Sequence, residues 1–149
     1  MNNAFTRTEI LIGKTHMNIL KKSTVAIFGI GGVGSFVAEA LARAGVGNLT
    51  LIDYDHIDVT NINRQIHANI DTIGLPKVEV MKERLLKINP ELNITIHQEF
   101  FAKTKCNSLI LDSYDYIVDA IDSVDSKLDL IENSIKKNIK IISAMGARK

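Results

Sequence analysis

Apolar and polar positions change their rhythm several times along the chain. Residues 9–22 (EILIGKTHMNILKK) place Ile10, Met17 and Leu20 at near-helical spacing with Gly13 interrupting, which predicts short helical pieces lying against the domain. From Thr24 the pattern is different. Thr24 to Phe28 (TVAIF) is a short β-branched apolar run ending in glycine, as a buried parallel strand reads. Ser35 to Ala44 follows as an alanine-rich helix, with Gly45 suited to its C-terminal cap. Leu49 to Ile52 predicts a second strand, ended by Asp53. Residues 54–75 are polar, irregular and longer than most connections in a compact domain, a length that points to function. Pro76 suits the first position of a helix that Pro90 stops. Ile94 to Ile96, Tyr116 to Asp119 and Ile139 to Ile142 predict three more strands, with a helix from Ser123 to Asn138 between the last two. Strands alternating with helices imply right-handed crossovers and an α/β fold: a doubly wound, mostly parallel Rossmann-like sheet with helices on both faces.

This organisation divides into an amino-terminal helical arm, residues 1–22, and a nucleotide-binding α/β domain, residues 23–149. The chain ends seven residues past a buried strand, so more polypeptide is expected beyond it.

Composition narrows the class. Apolar residues make up 46% and charged residues 23% of the 149, as in a globular domain with a real core. No apolar run approaches the roughly 20 residues of a membrane helix. Met1 to Thr8 lacks a secretory signal's apolar centre, so the expected compartment is the cytoplasm, with no membrane partner. Net charge is +1, which gives no whole-chain field for nucleic acid. The arm alone carries a surplus of +3, from Arg7, Lys14, Lys21 and Lys22 against Glu9; solvated helix surface is favoured over an anionic partner. The single Cys106 excludes an internal disulfide or a multi-cysteine zinc site in this chain. It reads as a surface or half-buried thiol rather than a nucleophile. His16, His56, His67 and His97 show no metal-ligand spacing, and a substrate contact by His67 is unforced.

Chemistry concentrates in four places. Gly29-Ile-Gly-Gly-Val-Gly34 follows a strand and opens a helix, the context a nucleotide fingerprint requires. Gly29 permits the tight turn, Gly31 lets backbone N–H groups approach a phosphate, Gly32 adds freedom, and Gly34 permits close helix packing. The helix N-terminus offers about half a positive charge to that phosphate. Asp53, nineteen residues on, can accept hydrogen bonds from both ribose hydroxyls. For Asp55 and Asp58 ordinary loop solvation is the favoured reading, with Asp55 as a residue that orders the loop.

NAD and ATP are equally served to this point. A triphosphate brings about three to four negative charges, and its terminal groups must be held as they leave. Arg64, in Asn61-Ile-Asn-Arg-Gln65, and Lys77 stand just after the ribose strand to supply those cations. Asp119 and Asp122 sit at the carboxyl end of the fourth strand, where doubly wound sheets bind ligands. Asp122 could hold Mg²⁺ against the phosphates or cap the helix near Ser123, and the residues alone leave the two roles even.

Taken in order, GIGGVG, LIDYD, TNINRQIHA, GLPK and DAIDS resemble the superfamily of ubiquitin-activating-like adenylyltransferases (the ThiF/MoeB/HesA group). That superfamily includes the activators of the thiamine and molybdopterin sulfur carriers. The similarity runs from about Phe5 to Gly146. Within it RQIHA, KVEVMKERL with INPE after it, DAIDS, FTRTEILIGK and ISAMGARK look most like the tRNA threonylcarbamoyladenosine dehydratase branch. The resemblance implies ATP and Mg²⁺ as cofactors, adenylation of the nucleoside's carboxylate, and ring closure with release of AMP. It implies tRNA as the substrate, a homodimer, and a cysteine-desulfurase system as a further partner. By position it assigns Gly29, Gly31 and Gly34 to the nucleotide turn, Asp53 to ribose, Asn61, Arg64 and Lys77 to the phosphates, and Asp122 to Mg²⁺. Arg7 becomes a finger reaching into a second subunit's site. Members of the group continue for roughly another hundred residues, a domain-scale extension that helps shape the acceptor site. The alternatives carried forward are adenylation of the C-terminal glycine of a ubiquitin-like sulfur carrier, an NAD-dependent dehydrogenase, and a non-catalytic nucleotide-binding module.

Overall fold

The computed structural model describes residues 3–146. Arg148 and Lys149, the end of the ISAMGARK likeness, lie outside the described residues. The chain opens with α1 (Thr6–Lys22), which kinks at Gly13, where φ is 83° and ψ 158°. It then alternates: β1 (Thr24–Phe28), α2 (Gly34–Ala44), β2 (Asn48–Ile52), α3 (Lys77–Ile88), β3 (Asn93–His97), α4 (Cys106–Leu109), β4 (Tyr116–Asp119), α5 (Val124–Lys136) and β5 (Lys140–Ser143).

The five strands form one sheet in the order β3-β2-β1-β4-β5, and every pairing is parallel. Strand alternation builds two cores. Val25 and Ile27 of β1 and Leu49 and Leu51 of β2 face α2 and α3, meeting Ala38, Ala42, Val78, Met81 and Leu85. Ala26, Phe28, Ile52 and Ile117 face the other way, onto Leu109 of α4, Ile110 just past it and Leu130 of α5. Glu39 of α2 clamps α3 by accepting from the Arg84 guanidinium, and that bond above all holds its carboxyl below the usual range.

The winding reverses at β1. From there the chain moves outward through β2 to β3, then returns to lay β4 on the opposite side. Parallel sheets bind ligands at such a reversal, beyond the carboxyl ends of the strands.

Several boundaries move relative to the sequence expectations. Pro76 is the N-cap of α3, with ψ 131°, and not its first helical residue. The last helix spans Val124–Lys136 with Ser123 at its N-cap, so it is shorter than Ser123 to Asn138 at both ends. Asn138 takes a left-handed φ of 56° there, and Ile139 donates to the Ser134 carbonyl, which delays β5 to Lys140. Residues 103–109 carry helical turns that the polar KTKCNS pattern did not announce. Cys106 is buried in the second core, a correction to a surface or half-buried thiol, and burial raises its pKa. No helix of the described residues is long and apolar enough to cross a membrane.

Candidate functional site

A cavity of about 510 Å³ opens beyond the carboxyl ends of the strands, over the β1/β4 reversal. Its floor is the turn after β1. Gly29 has φ 90°, and a Cβ there would lie 2.5 Å from the Ala120 carbonyl oxygen. A Cβ on Gly34 would lie 1.7 Å from the Gly29 carbonyl oxygen. Both positions therefore admit only glycine without backbone movement. Gly29, Gly31 and Gly32 line the cavity; Gly34 is buried beneath the turn and acts through packing. Among the described residues nothing accepts the backbone N–H of Gly31, Gly32 or Val33. Those donors sit at the open N-terminus of α2, a site suited to an anion.

Asp53 ends β2 and braces this floor. Its Oδ2 accepts the Ile30 N–H at 2.7 Å, and its Oδ1 accepts the Asp55 N–H at 2.8 Å. Each oxygen keeps a second lone pair for a ribose hydroxyl. Beneath the turn His67 is 1% exposed, with Nε2 2.7 Å from the Ile30 carbonyl oxygen. Nε2 therefore donates and Nδ1 is left bare, without a partner among the described residues. Burial, more than any neighbouring charge, pulls the His67 pKa down. It is a brace for the turn rather than a substrate contact.

The long connection after β2 forms the opposite wall. Asp58 caps a tight 3₁₀ turn (Val59–Asn61) and Asn61 reciprocates, its Oδ1 accepting the Asp58 N–H at 2.9 Å. Asn61, Arg64, Gln65 and Lys77 all line the cavity. The Arg64 stem lies over Gly32, while Nη1 donates to the Thr60 carbonyl and the Asn63 side chain at 2.9 and 2.8 Å. Lys77 has a side chain only 7% exposed and places Nζ 3.1 Å from Asp55 Oδ2. Asp55 thus orders the loop through an ion pair, and its backbone carbonyl also accepts the Lys77 N–H at 3.0 Å.

The third wall belongs to β4 and β5. Asp122 is exposed and lines the cavity, one residue before the N-cap of α5. The cap position is Ser123, so capping is not the role the fold gives Asp122. Asp119 is instead fully buried, with Oδ2 2.8 Å from Lys127 Nζ. Among the described residues no group of three or more His, Cys, Asp or Glu side chains could hold a metal ion. A Mg²⁺ held by one carboxylate together with phosphates and water needs no such group, and Asp122 fits that arrangement.

Arg7 is exposed on α1 and does not line the cavity of its own chain. Sequence reasoning missed Tyr54, Phe100, Phe101 and residues 144–146, which line it as well. The Tyr54 hydroxyl is pushed above its ordinary value, first by the charge of Asp55 and then by burial, Asp122 and Asp53. Only the sheet order, with β3 beside β2, brings residues 99–101 to this mouth.

Residues 5–148 match the ThiF family. The chain belongs to the ThiF family. It is 46% identical over 147 residues to a tRNA threonylcarbamoyladenosine dehydratase of Bacillus subtilis, covering 99% of this chain and 58% of that protein. The crystal structure of the Escherichia coli tRNA N6-threonylcarbamoyladenosine dehydratase in complex with ATP superposes with a TM-score of 0.95 at 43% identity, covering 97% of this chain and 59% of that one. A molybdopterin-synthase adenylyltransferase of Escherichia coli is 35% identical over 129 residues, covering 87% of this chain and 51% of that protein. This ThiF-family chain therefore spans little more than half the length of the relatives it matches.

Proposed function

We propose that this chain is the nucleotide-binding part of an enzyme that uses ATP to adenylate a carboxylate, with threonylcarbamoyladenosine in tRNA as the substrate to be cyclised. One observation carries the reading: a single cavity gathers an anion-binding turn, a ribose-type carboxylate, Arg64 and Lys77. A nicotinamide cofactor has no use for two cations placed past the glycine turn, and this disfavours a dehydrogenase. The relatives' names support the dehydratase assignment, and the ATP in the superposed structure supports the cofactor.

In this reading the phosphates lie on the N–H groups of Gly31, Gly32 and Val33, and Asp53 receives the ribose. The substrate carboxylate attacks the α-phosphorus in line, forming the acyl-adenylate and expelling pyrophosphate. Lys77 and Arg64 neutralise the charge that grows on the leaving group, each turning from its resting partner toward the phosphates. Most of the rate then comes from position and charge rather than a protein nucleophile. An internal nucleophile of the nucleoside next attacks the activated acyl carbon, losing its proton, and releases AMP, which carries away the oxygen lost from the carboxylate. Asp122 would hold Mg²⁺, whose charge further offsets that of the phosphates. A two-fold dimer would let Arg7 of each copy serve the other's cavity. The compartment that goes with this reading is the cytoplasm.

Incubation of the protein with ATP, Mg²⁺ and tRNA bearing the open-chain nucleoside tests this. Nuclease digestion and mass analysis should find the nucleoside lighter by one water, with AMP and pyrophosphate released. Pyrophosphate release with a sulfur-carrier protein and none with tRNA would move the assignment to the sister activity that the 35% identical adenylyltransferase represents. ATP binding without pyrophosphate exchange on either substrate would leave a non-catalytic module.

A further inference from the structure

Closing the ring frees a proton from the internal nucleophile. A base held within reach of that proton speeds such a step by about a hundred- to ten-thousandfold. The cavity offers few acceptors. Among the described residues it is lined by no histidine or cysteine, and by the carboxylates of Asp53, Asp55, Glu99 and Asp122. His67 is sealed beneath the phosphate turn, 1% exposed, and lies outside that lining.

Asp53, Glu99 and Asp122 are committed elsewhere. Asp53 accepts the Ile30 and Asp55 N–H groups at 2.7 and 2.8 Å and keeps its remaining lone pairs for ribose. Asp122 is the carboxylate assigned to Mg²⁺. Glu99 lies past the exit of β3 with Lys105 Nζ 2.8 Å from its Oε2. That hydrogen-bonded ammonium holds the Glu99 carboxyl below the usual range, which makes it a poor base.

Asp55 is engaged only while the site is at rest. Its Oδ2 lies 3.1 Å from Lys77 Nζ, and its side chain is 45% exposed. The two backbones are tied, since the Asp55 carbonyl accepts the Lys77 N–H at 3.0 Å and Asp53 accepts the Asp55 N–H. The side chains can therefore part while their Cα atoms stay in place. When Lys77 turns to the phosphates, Asp55 keeps its position and loses the ammonium that weakened it as a base. Its place suits the task. Asp55 stands two residues past the ribose carboxylate and within reach of the lysine that serves the phosphates. The α-phosphorus joins ribose to the other phosphates, so the acyl group it carries lies between those two landmarks. We propose that Asp55 is the base of ring closure. Its carboxylate takes the proton of the internal nucleophile as the bond to the acyl carbon forms and the acyl–oxygen bond to AMP breaks. The proton then passes to water. Lys77 covers this base until phosphates draw the ammonium away, so the base is bare only when a nucleotide is bound. This deepens the adenylation reading above and rests on it.

The test separates the two chemical steps, using the 149-residue chain with ATP, Mg²⁺ and tRNA bearing the open-chain nucleoside. Pyrophosphate release reports adenylation, while AMP release and the loss of one water from the nucleoside report ring closure. Asp55→Asn keeps the shape and an acceptor oxygen for Lys77, but its amide takes no proton. Pyrophosphate release should slow by no more than about tenfold, the scale of one exposed ion pair. Ring closure should slow by about a hundred- to ten-thousandfold, and the waiting acyl-adenylate should be trapped by hydroxylamine as a hydroxamate. Asp55→Ala leaves room for a small acid, and added formate should restore part of its ring closure without altering pyrophosphate release. Ring closure at the wild-type rate in Asp55→Asn would overturn the base and leave the ATP reading standing. Equal slowing of both steps, with no rescue by formate, would make Asp55 a positioning residue for Lys77 alone. A wild type that releases no pyrophosphate with tRNA would remove the adenylation reading and the base together.

Discussion

Asp53 holds the Ile30 N–H at 2.7 Å, so the carboxylate expected to receive ribose also pins the phosphate turn in place. The same side chain holds the Asp55 N–H at 2.8 Å on its other oxygen. Removing it should therefore damage fold and ligand binding together. Asp53→Ala is expected to cost about 2 kcal/mol, the scale of hydrogen bonds to a charged group, and to weaken ATP more than about tenfold. Asp53→Asn keeps one acceptor oxygen and turns an NH₂ toward the other N–H, so its stability should fall between the two. Denaturant midpoints and an ATP titration on the three proteins check this. An alanine variant as stable as the wild type would show that the brace carries no weight.

Lys77 contrasts with Asp53, because its partner does not depend on it. Asp55 is 45% exposed and returns to water if the ammonium goes, so the ion pair is worth little to the fold. Lys77→Met fills the same slot and should shift stability by no more than about 1 kcal/mol. The rate of ATP–pyrophosphate exchange should nonetheless fall by about a hundred- to a thousandfold, the range for removing one preorganised charge. Exchange that survives in a folded Lys77→Met protein would take Lys77 out of the chemistry.

How far these roles were readable in advance differs by element. The turn Gly29 to Gly34 and the strand ending at Asp53 were legible because both are local: β-branched runs, a glycine cluster and one acid at a strand end. Alternation predicted a mostly parallel sheet, and every strand pairing is parallel. The sequence already put Asp122 ahead of Asp119 as the metal candidate, and the coordinates add that Lys127 engages Asp119 from the next helix. Residues 99–101 gave no local signal, for their place at the mouth comes from β3 pairing with β2. Residues 103–109 were missed because a four-residue helix has no room to show a period.

His67 makes stability depend on pH in a particular window. Its pKa in the folded protein lies below the ordinary 6.5, with burial as the main cause. Above that value the ring is neutral in both states and contributes no slope. Below it the unfolded chain takes up a proton that the folded chain resists, so stability falls as pH drops from about 6.5 toward the depressed folded value. The slope there approaches about 1.4 kcal/mol per pH unit for one proton. His67→Gln can still donate to the Ile30 carbonyl but does not titrate, so the slope should vanish in that variant. Urea midpoints taken across this range decide it; a slope that persists in His67→Gln belongs to another group. Glu39 also loses a stabilising charge in acid, but only as pH falls below its ordinary 4.5.

The buried pair of Asp119 and Lys127 separates stability from site geometry. Asp119 is wholly buried, and Lys127 Nζ lies 2.8 Å from its Oδ2 and 2.8 Å from the Ala144 carbonyl oxygen. Ser143 donates to the same carboxylate oxygen, so the exits of β4 and β5 are held as one unit. Lys127→Met leaves a buried carboxylate uncompensated and should cost about 3–5 kcal/mol. Asp119→Leu combined with Lys127→Met replaces the pair by apolar volume and should recover most of that loss. The Ala144 carbonyl still lacks its ammonium donor in the double variant, and residues 144–146 line the cavity wall. Recovered stability with a raised Michaelis constant for the carboxylate substrate, and unaltered ATP affinity, would make Lys127 a positioning residue for that wall. If the double variant regains both stability and the wild-type Michaelis constant, the pair is structural alone.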